Sequence, residues 1–457
     1  MKVRVNKTDE LKTEKIGKLL LNYSMPAITA MAVASVYHII DSIFIGKGAG
    51  AMALAGLAIT FPLMNLAAAF GSLVGAGAST MVSIRLGEGK VNSATRFLCN
   101  SLVINIIIGG VLSIVGLCFL DPILYAFQAS KDTISYARDF MQVVLIGNIF
   151  AHIYFGLNNI LRVTGYPKKA MIITISTVII NLILAPIFIF YFNWGIRGAA
   201  LATVLAQTTG AVLVFVHYLN NTHTLYFKKA FFKVYFSVVQ KIFTMGLPPF
   251  LMNLCASAVV IVLNHQLRNY GGDLAIAAYG IINRIVGLVA MIIFGFNLGM
   301  QPIVGYNFGA NQYNRVLQTL KYSLIIGTCI STFGFLLGEL FPFSLANCFT
   351  SNKQLIDKQL IDLTVQGLRL VLISFPLVGG QIVVSSFFQA IGMPKVAIFL
   401  SLSRQMIFLI PALFAIPYLF GLDGVWLACP LADLLSFILT MAVLSHHYKR
   451  INGRLNV

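Results

Sequence analysis

The chain has 457 residues, 58% of them hydrophobic and 10% charged, with 32 Lys and Arg against 14 Asp and Glu; its mean hydropathy is +0.87. Soluble proteins carry about 25% charged residues, so this composition excludes a soluble enzyme and points to a protein that crosses a membrane several times. The net charge of +18 sits mostly in loops, where it reports topology and calls for no nucleic-acid partner.

The first 18 residues are polar and basic, and the apolar stretch after them is too long for a signal sequence and lacks a small-residue cleavage pattern, so it reads as a retained first helix. Segments of about 20 apolar residues are needed to cross a bilayer. Twelve are present, at about 16–45, 53–83, 95–120, 137–163, 169–192, 198–219, 239–267, 274–304, 317–342, 359–391, 396–419 and 424–447. No β-barrel alternation occurs, so an all-α integral membrane bundle is expected, because lipid offers the backbone no partners.

The first predicted helix carries Pro26, Tyr37, His38 and Asp41. Pro26 removes one helix hydrogen bond and marks a hinge or a packing kink. Asp41 follows it by about 22 Å along the axis at 1.5 Å per residue, in the outer half of the membrane. An ionisable group there costs about 2.5–3.5 kcal/mol on insertion scales and is read as functional; the alternative is a carboxylate that merely reaches the headgroups. Tyr37 and His38 each lie about one turn from it, the tyrosine within reach of the carboxylate and the histidine either a relay or a buried imidazole. The later helices add Arg284 in the eighth, Arg404 in the eleventh and Asp433 in the twelfth. The two arginines are candidates for a cavity in the second half, and Asp433 is a candidate partner for one of them.

Lys and Arg concentrate before helix 1, in alternate loops (Arg85, Lys90, Arg162, Lys168, Lys228, Lys229, Arg315, Lys395) and at the C-terminus (Lys449, Arg450, Arg454). Both termini are therefore expected in the cytoplasm, with some basic residues touching anionic lipid. The six cysteines show neither metal spacing nor a disulfide framework. No P-loop, paired catalytic carboxylates or nucleophile elbow occurs, so neither direct ATP use nor an enzyme is expected.

The halves repeat. Pro26 matches Pro248, Ala53-Leu54-Ala55 matches Ala275-Ile276-Ala277, Gly77 matches Gly299 and Gly87 matches Gly309, always 222 positions apart. Gly165 then matches Gly392, and Gly195 and Gly198 match Gly421 and Gly424, at an offset of 226–227. Six helices per half make a parallel repeat about an axis along the membrane normal, an arrangement that puts a cavity between halves that rock. Two pseudo-symmetric lobes are expected, at 1–222 and 239–457, joined by a cytoplasmic linker at 223–238.

Pro26, Asp41 near Tyr37, Gly87-Glu88-Gly89, Gln301-Pro302-Ile303-Val304-Gly305-Tyr306-Asn307, Phe388-Gln389-Ala390-Ile391-Gly392 and Ser403-Arg404-Gln405-Met406-Ile407-Phe408 together resemble the multidrug and toxic compound extrusion (MATE) transporters, closest to a bacterial DinF-like branch. The resemblance covers essentially the whole chain. It implies export of lipophilic, often cationic drugs across the bacterial cytoplasmic (inner) membrane, in exchange for H+ or Na+, by a monomer needing no cofactor. It also implies that Asp41 is the coupling carboxylate, that Asn181 is its partner, that Tyr37, Asn158 and Thr203 complete an N-lobe cluster that holds the drug, and that helix 1 bends at Pro26. The branch usually has Asn-x-x-x-Asp-Pro on helix 5; here the run is Asn181-Leu182-Ile183-Leu184-Ala185-Pro186. A Na+ site at Asp41 and Asn181 is then weak, because a hard cation wants several oxygens. The competing readings are a flippase for lipid-linked oligosaccharide or peptidoglycan precursors, which would line its cavity with basic residues, and a scaffold or receptor without flux.

Overall fold

A computed structural model describes residues 8, 10–127, 129–347 and 355–453. The basic residues Lys2, Arg4, Lys7, Lys353 and Arg454, and Cys348, lie outside these. Among the described residues there is no strand, and Cys99, Cys118, Cys255, Cys329 and Cys429 form no disulfide.

The spans are α1 (Ile16–Ala49), α2 (Ala51–Gly87), α3 (Val91–Cys118), α4 (Ile134–Val163), α5 (Pro167–Tyr191) and α6 (Gly195–Leu219) in the first half. In the second half the helical run Phe236–Gly309 is reversed at Gly272 (φ 66°, ψ −164°) into α7 (236–271) and α8 (273–309). Next come α9 (Tyr313–Leu340) and α10, whose pieces Leu355–Leu372 and Phe375–Ala390 meet at 52°. A last run is reversed at Gly421 (φ 58°, ψ −133°) into α11 (394–420) and α12 (422–453). Twelve spans result among the described residues. The expected single helix over 359–391 is broken because Pro376, at the start of its second piece, has no N–H to continue the first.

The repeat is written into the backbone. Residues with positive φ recur at Gly50 and Gly272, Gly89 and Asn311, Gly165 and Gly392, and Gly195 and Gly421, with the offsets read from the sequence. Each marks a tight connection that needs the left-handed region, which glycine enters without steric cost and asparagine with little. Large side chains such as Ile107, Ile114, Ile183, Ile261 and Phe333 are exposed; in a membrane they face lipid.

The two halves share one core only at the end that carries the termini. That core joins Tyr23, Val82 and Leu98 to Ile242, Met300 and Phe388. At the opposite end each half has its own. Ile45, Leu57, Phe140 and Ala199 form one, and Leu263, Ile282, Leu368 and Trp426 form the other. Along the shared end the backbones touch. A Cβ on Gly77 would meet the Ile242 carbonyl, one on Gly246 the Leu73 carbonyl, and one on Gly299 the backbone of Ser24. Because Gly299 is 222 positions after Gly77, and Gly246 is 222 after Ser24, α2 against α7 and α8 against α1 are the same contact made twice. Gly87 and Gly309 likewise face the partner backbone reciprocally, at Tyr306 and Ile84. The Ser24 hydroxyl donates to Phe296 O and the Ser83 hydroxyl to Pro302 O, both at 3.1 Å. The molecule is thus sealed at the terminus-bearing end and parted at the other.

The connection between halves lies on α3. Asn100 donates to Phe231 O (3.0 Å) and accepts from the Tyr235 N–H (3.2 Å), and Arg96 stacks between the rings of Phe231 and Tyr235. Beside the Gly87–Gly309 contact, Glu88 takes Arg85 at 2.6 Å and Lys90 at 2.9 Å. Burial opposes its ionisation, but these hydrogen bonds outweigh that and hold its carboxyl below the usual glutamate range. A carboxyl depressed on folding contributes stability above its unfolded pKa, about 4.5, and loses it as pH falls through the folded value. Glu88→Gln is therefore expected to flatten the fall of Tm on acidification below about pH 4.5. An unchanged pH profile of melting would remove Glu88 from the seal.

Candidate functional site

In the first half, α1, α4, α5 and α6 enclose a cleft of about 130 Å³ lined by Tyr37, Tyr154, Thr174, Asn181, Thr203 and Gln207, among others. Asn181 donates from its amide nitrogen to the Tyr37 hydroxyl and to Thr203 Oγ1, both at 3.0 Å. The Thr203 hydroxyl gives its own proton to Ala199 O (3.1 Å), so Tyr37, 3.3 Å away, donates to Thr203 and accepts from Asn181. Asn158 stands one step removed. It donates to Thr174 Oγ1 (3.1 Å), as does the Tyr154 hydroxyl (3.0 Å).

Asp41 is one turn beyond Tyr37 toward the parted end, and its Oδ1 is buried without a hydrogen-bond partner. The two expected contacts to it are therefore not made at this oxygen. Both Asn181 amide protons are taken by hydroxyls, and the Tyr37 proton goes to Thr203. What the site offers instead is acceptors: Oδ1 of Asp41, of Asn158 and of Asn181 are each buried and unpaired. Unpaired buried acceptors cost about 1–3 kcal/mol each; of the three only the Asp41 carboxylate can take up a proton, whereas each is an oxygen that a hard cation accepts as ligand. Among the described residues no three His, Cys, Asp or Glu side chains gather as metal ligands.

The His38 side chain lies outside the described residues. Helix α1 continues unbroken through Pro26, where Gly295 and Gly299 of α8 bring their backbone against Ile28 and Ser24. Ala185 is fully buried in the apolar core of the parted end. The position one turn after Asn181 is thus packed with hydrocarbon, where the resemblance leads one to expect a carboxylate.

A second cavity, of about 250 Å³, lies where the halves meet. Met31, Ser72 and Asn159 reach it from the first half, and Met252, Phe294, Asn297, Gln301, Gln381, Arg404 and Gln405 from the second. Pockets for drug-sized ligands span about 300–1,000 Å³, and this cavity comes nearer that range than the cleft of about 130 Å³. Arg404 lines the cavity as anticipated and pairs with Asp433 (Nε to Oδ1, 2.6 Å); Asp433 also accepts from Ser374 at the break in α10 (3.2 Å). Arg284 does not join it: its residue is exposed, away from the cavity lining.

The reading of the sequence missed Tyr154, Thr174 and Gln207 in the cleft and the amides Asn297, Gln301, Gln381 and Gln405 in the cavity. The available signal was that each is a polar residue within an apolar run. It missed His152 as well, whose two ring nitrogens are buried without hydrogen-bond partners on α4.

The MatE family model matches residues 26–187 and 248–414. Among curated proteins the chain is 28% identical over 428 residues to the multidrug export protein MepA of Staphylococcus haemolyticus, covering 94% of this chain and 93% of that one. Among solved structures it superposes at TM-score 0.91 and 22% identity, over 98% and 99% of the two chains, on one described as "Crystal structure of MATE in complex with MaL6". It superposes at TM-score 0.87 and 36% identity, over 98% of each chain, on one described as "protein A".

Proposed function

From the premise that this chain belongs to the MatE family, we propose that it is a multidrug exporter of the bacterial cytoplasmic membrane, driven by inward H+ or Na+. The observation that carries the coupling is the buried, unpaired Oδ1 of Asp41, one turn of α1 from Tyr37, which lines a cleft with room for an ion. The Lys and Arg bias of alternate loops puts both termini in the cytoplasm. The sealed end is then cytoplasmic, and the parted end opens outward.

In this state the drug occupies the cavity between the halves. An ion from outside reaches Asp41 through the parted end and changes the charge of α1. Protonation or cation binding alters the relative stability of two packings of α1 against its neighbours, and that difference couples the fluxes. Alternation requires the glycine seam to part and the outer cores to meet. The flippase reading is weaker, because among the described lining residues the cavity presents a single arginine, too few for a pyrophosphate.

Substrate-induced proton release tests the reading. Norfloxacin added to the purified protein in weakly buffered liposomes is expected to release on the order of one proton per molecule, one per titrating carboxylate. No proton release, together with norfloxacin binding that is indifferent to Na+, would leave the coupling without support. Ala185→Asp is expected to lower the melting temperature, because it puts a carboxyl into a packed apolar core. An unchanged melting temperature would show that this position is hydrated.

A further inference from the structure

We propose that the central cavity selects amphiphiles that carry a carboxylate, with Arg404 as the recognising group. This deepens the exporter reading and rests on its placing the drug in that cavity. Three observations carry it.

First, no Asp or Glu is among the lining residues, and Arg404 is the one charged side chain there. Its partner Asp433 is only 6% exposed, whereas Arg404 is 32% exposed. The pair is neutral as a whole, but the carboxylate lies behind and the cation faces the space. A lipophilic cation entering would meet a like charge first.

Second, the pairing spends only one edge of the guanidinium. Nε donates to Asp433, and the two Nη groups are left with their four N–H donors, the edge that grips a carboxylate through two parallel hydrogen bonds. Asp433 is held in turn by Ser374, so the arginine is braced from behind. Arg404 and Gln405 stand on a π-helical turn, Ser403–Leu409. Such a turn shifts side chains off the regular helical register and is frequent at functional sites.

Third, the wall around Arg404 is lined with unsatisfied amides. Both polar atoms of Asn297, and the carbonyl oxygens of Gln381 and Gln405, are buried without hydrogen-bond partners, although Gln381 uses its nitrogen on Ser436. Asn297 is only 3% exposed. These groups can take up the polar periphery of a ligand. Met31, Met252 and Phe294 supply adaptable contacts for its apolar body.

Rhodamine 110 and its methyl ester, rhodamine 123, share one fluorophore and differ in the free carboxylate. Their binding to the purified protein in phosphatidylcholine nanodiscs, followed by fluorescence anisotropy, tests the assignment. Rhodamine 110 is expected to bind at least about tenfold more tightly, as a bidentate charge-assisted contact implies. The preference should vanish in the neutral double variant R404Q/D433N and shrink in Arg404→Lys, which keeps the charge and loses the fork. Equal affinities in the wild-type protein, tighter binding of the ester, or no binding of rhodamine 110 would overturn the proposal; so would a preference that survives in the double variant. The wild-type comparison needs no variant to fold. Norfloxacin-induced proton release decides the exporter reading separately.

Discussion

Asp41→Asn is expected to reduce gradient-driven export of norfloxacin by at least about tenfold, since an intramembrane carboxylate is the usual seat of ion coupling. The substitution is nearly isosteric, so the packing of α1 should persist. What it removes is the ability to change charge. The buried, unpaired Oδ1 gives up little in hydrogen bonding on becoming an amide. A failure of transport would therefore report coupling and not folding. The repeat strengthens this, because the residue 222 positions on is Leu263, 2% exposed within the apolar core of the second half. The architecture has no structural need for a carboxylate at this place. The measurement is drug flux in vesicles under an imposed pH gradient, with melting temperature as the folding control. Undiminished flux would take Asp41 out of the mechanism.

Gly246→Ala should be nearly as damaging, for a different reason. Its Cβ would meet the carbonyl of Leu73, a backbone atom that cannot swing aside. Relief requires α2 and α7 to separate, which opens the seal at the terminus-bearing end. Overpacking costs about 1–3 kcal/mol in well-packed cores, and about 1.4 kcal/mol is a tenfold shift between states. The ratio of molecules sealed at this end to molecules parted there is then expected to fall about tenfold, and export to fall as the balance between the two states is lost. A reporter is available in Ser83, 2% exposed and bonded across the seam to Pro302. In a Ser83→Cys background, Gly246→Ala should raise maleimide labelling at that site by about the same factor as the population shift. Equal labelling with and without the substitution would show that the halves do not meet here as closely as described.

The two expectations are linked. Asp41 lies toward the parted end of α1 and the glycine contacts at its sealed end, with Pro26 between Gly295 and Gly299 of α8. Proline leaves one helix hydrogen bond unmade where α8 presses against α1. A change of charge at Asp41 and a change of packing at the seam thus act on one helix from its two ends.

Much of this was legible in the amino-acid order. Twelve apolar segments and the 222-residue repeat are local signals. Span length is fixed by bilayer thickness, and a turn needing positive φ keeps its glycine, as Gly50 and Gly272 do. Asp41 stood out because a charge among apolar residues is expensive wherever the helix points. What the sequence left open was how each helix is rotated. A soluble helix shows its buried face by polarity, but a helix apolar on all sides carries no such mark, and in lipid its orientation is set by packing. The resemblance had already grouped Asn181, Tyr37 and Thr203; only the tertiary structure gave their hydrogen bonds and left Asp41 Oδ1 outside them. It also placed Arg404 in the cavity lining and left Arg284 exposed outside it, buried Ala185 in hydrocarbon, and pressed the glycines of one half against the backbone of the other.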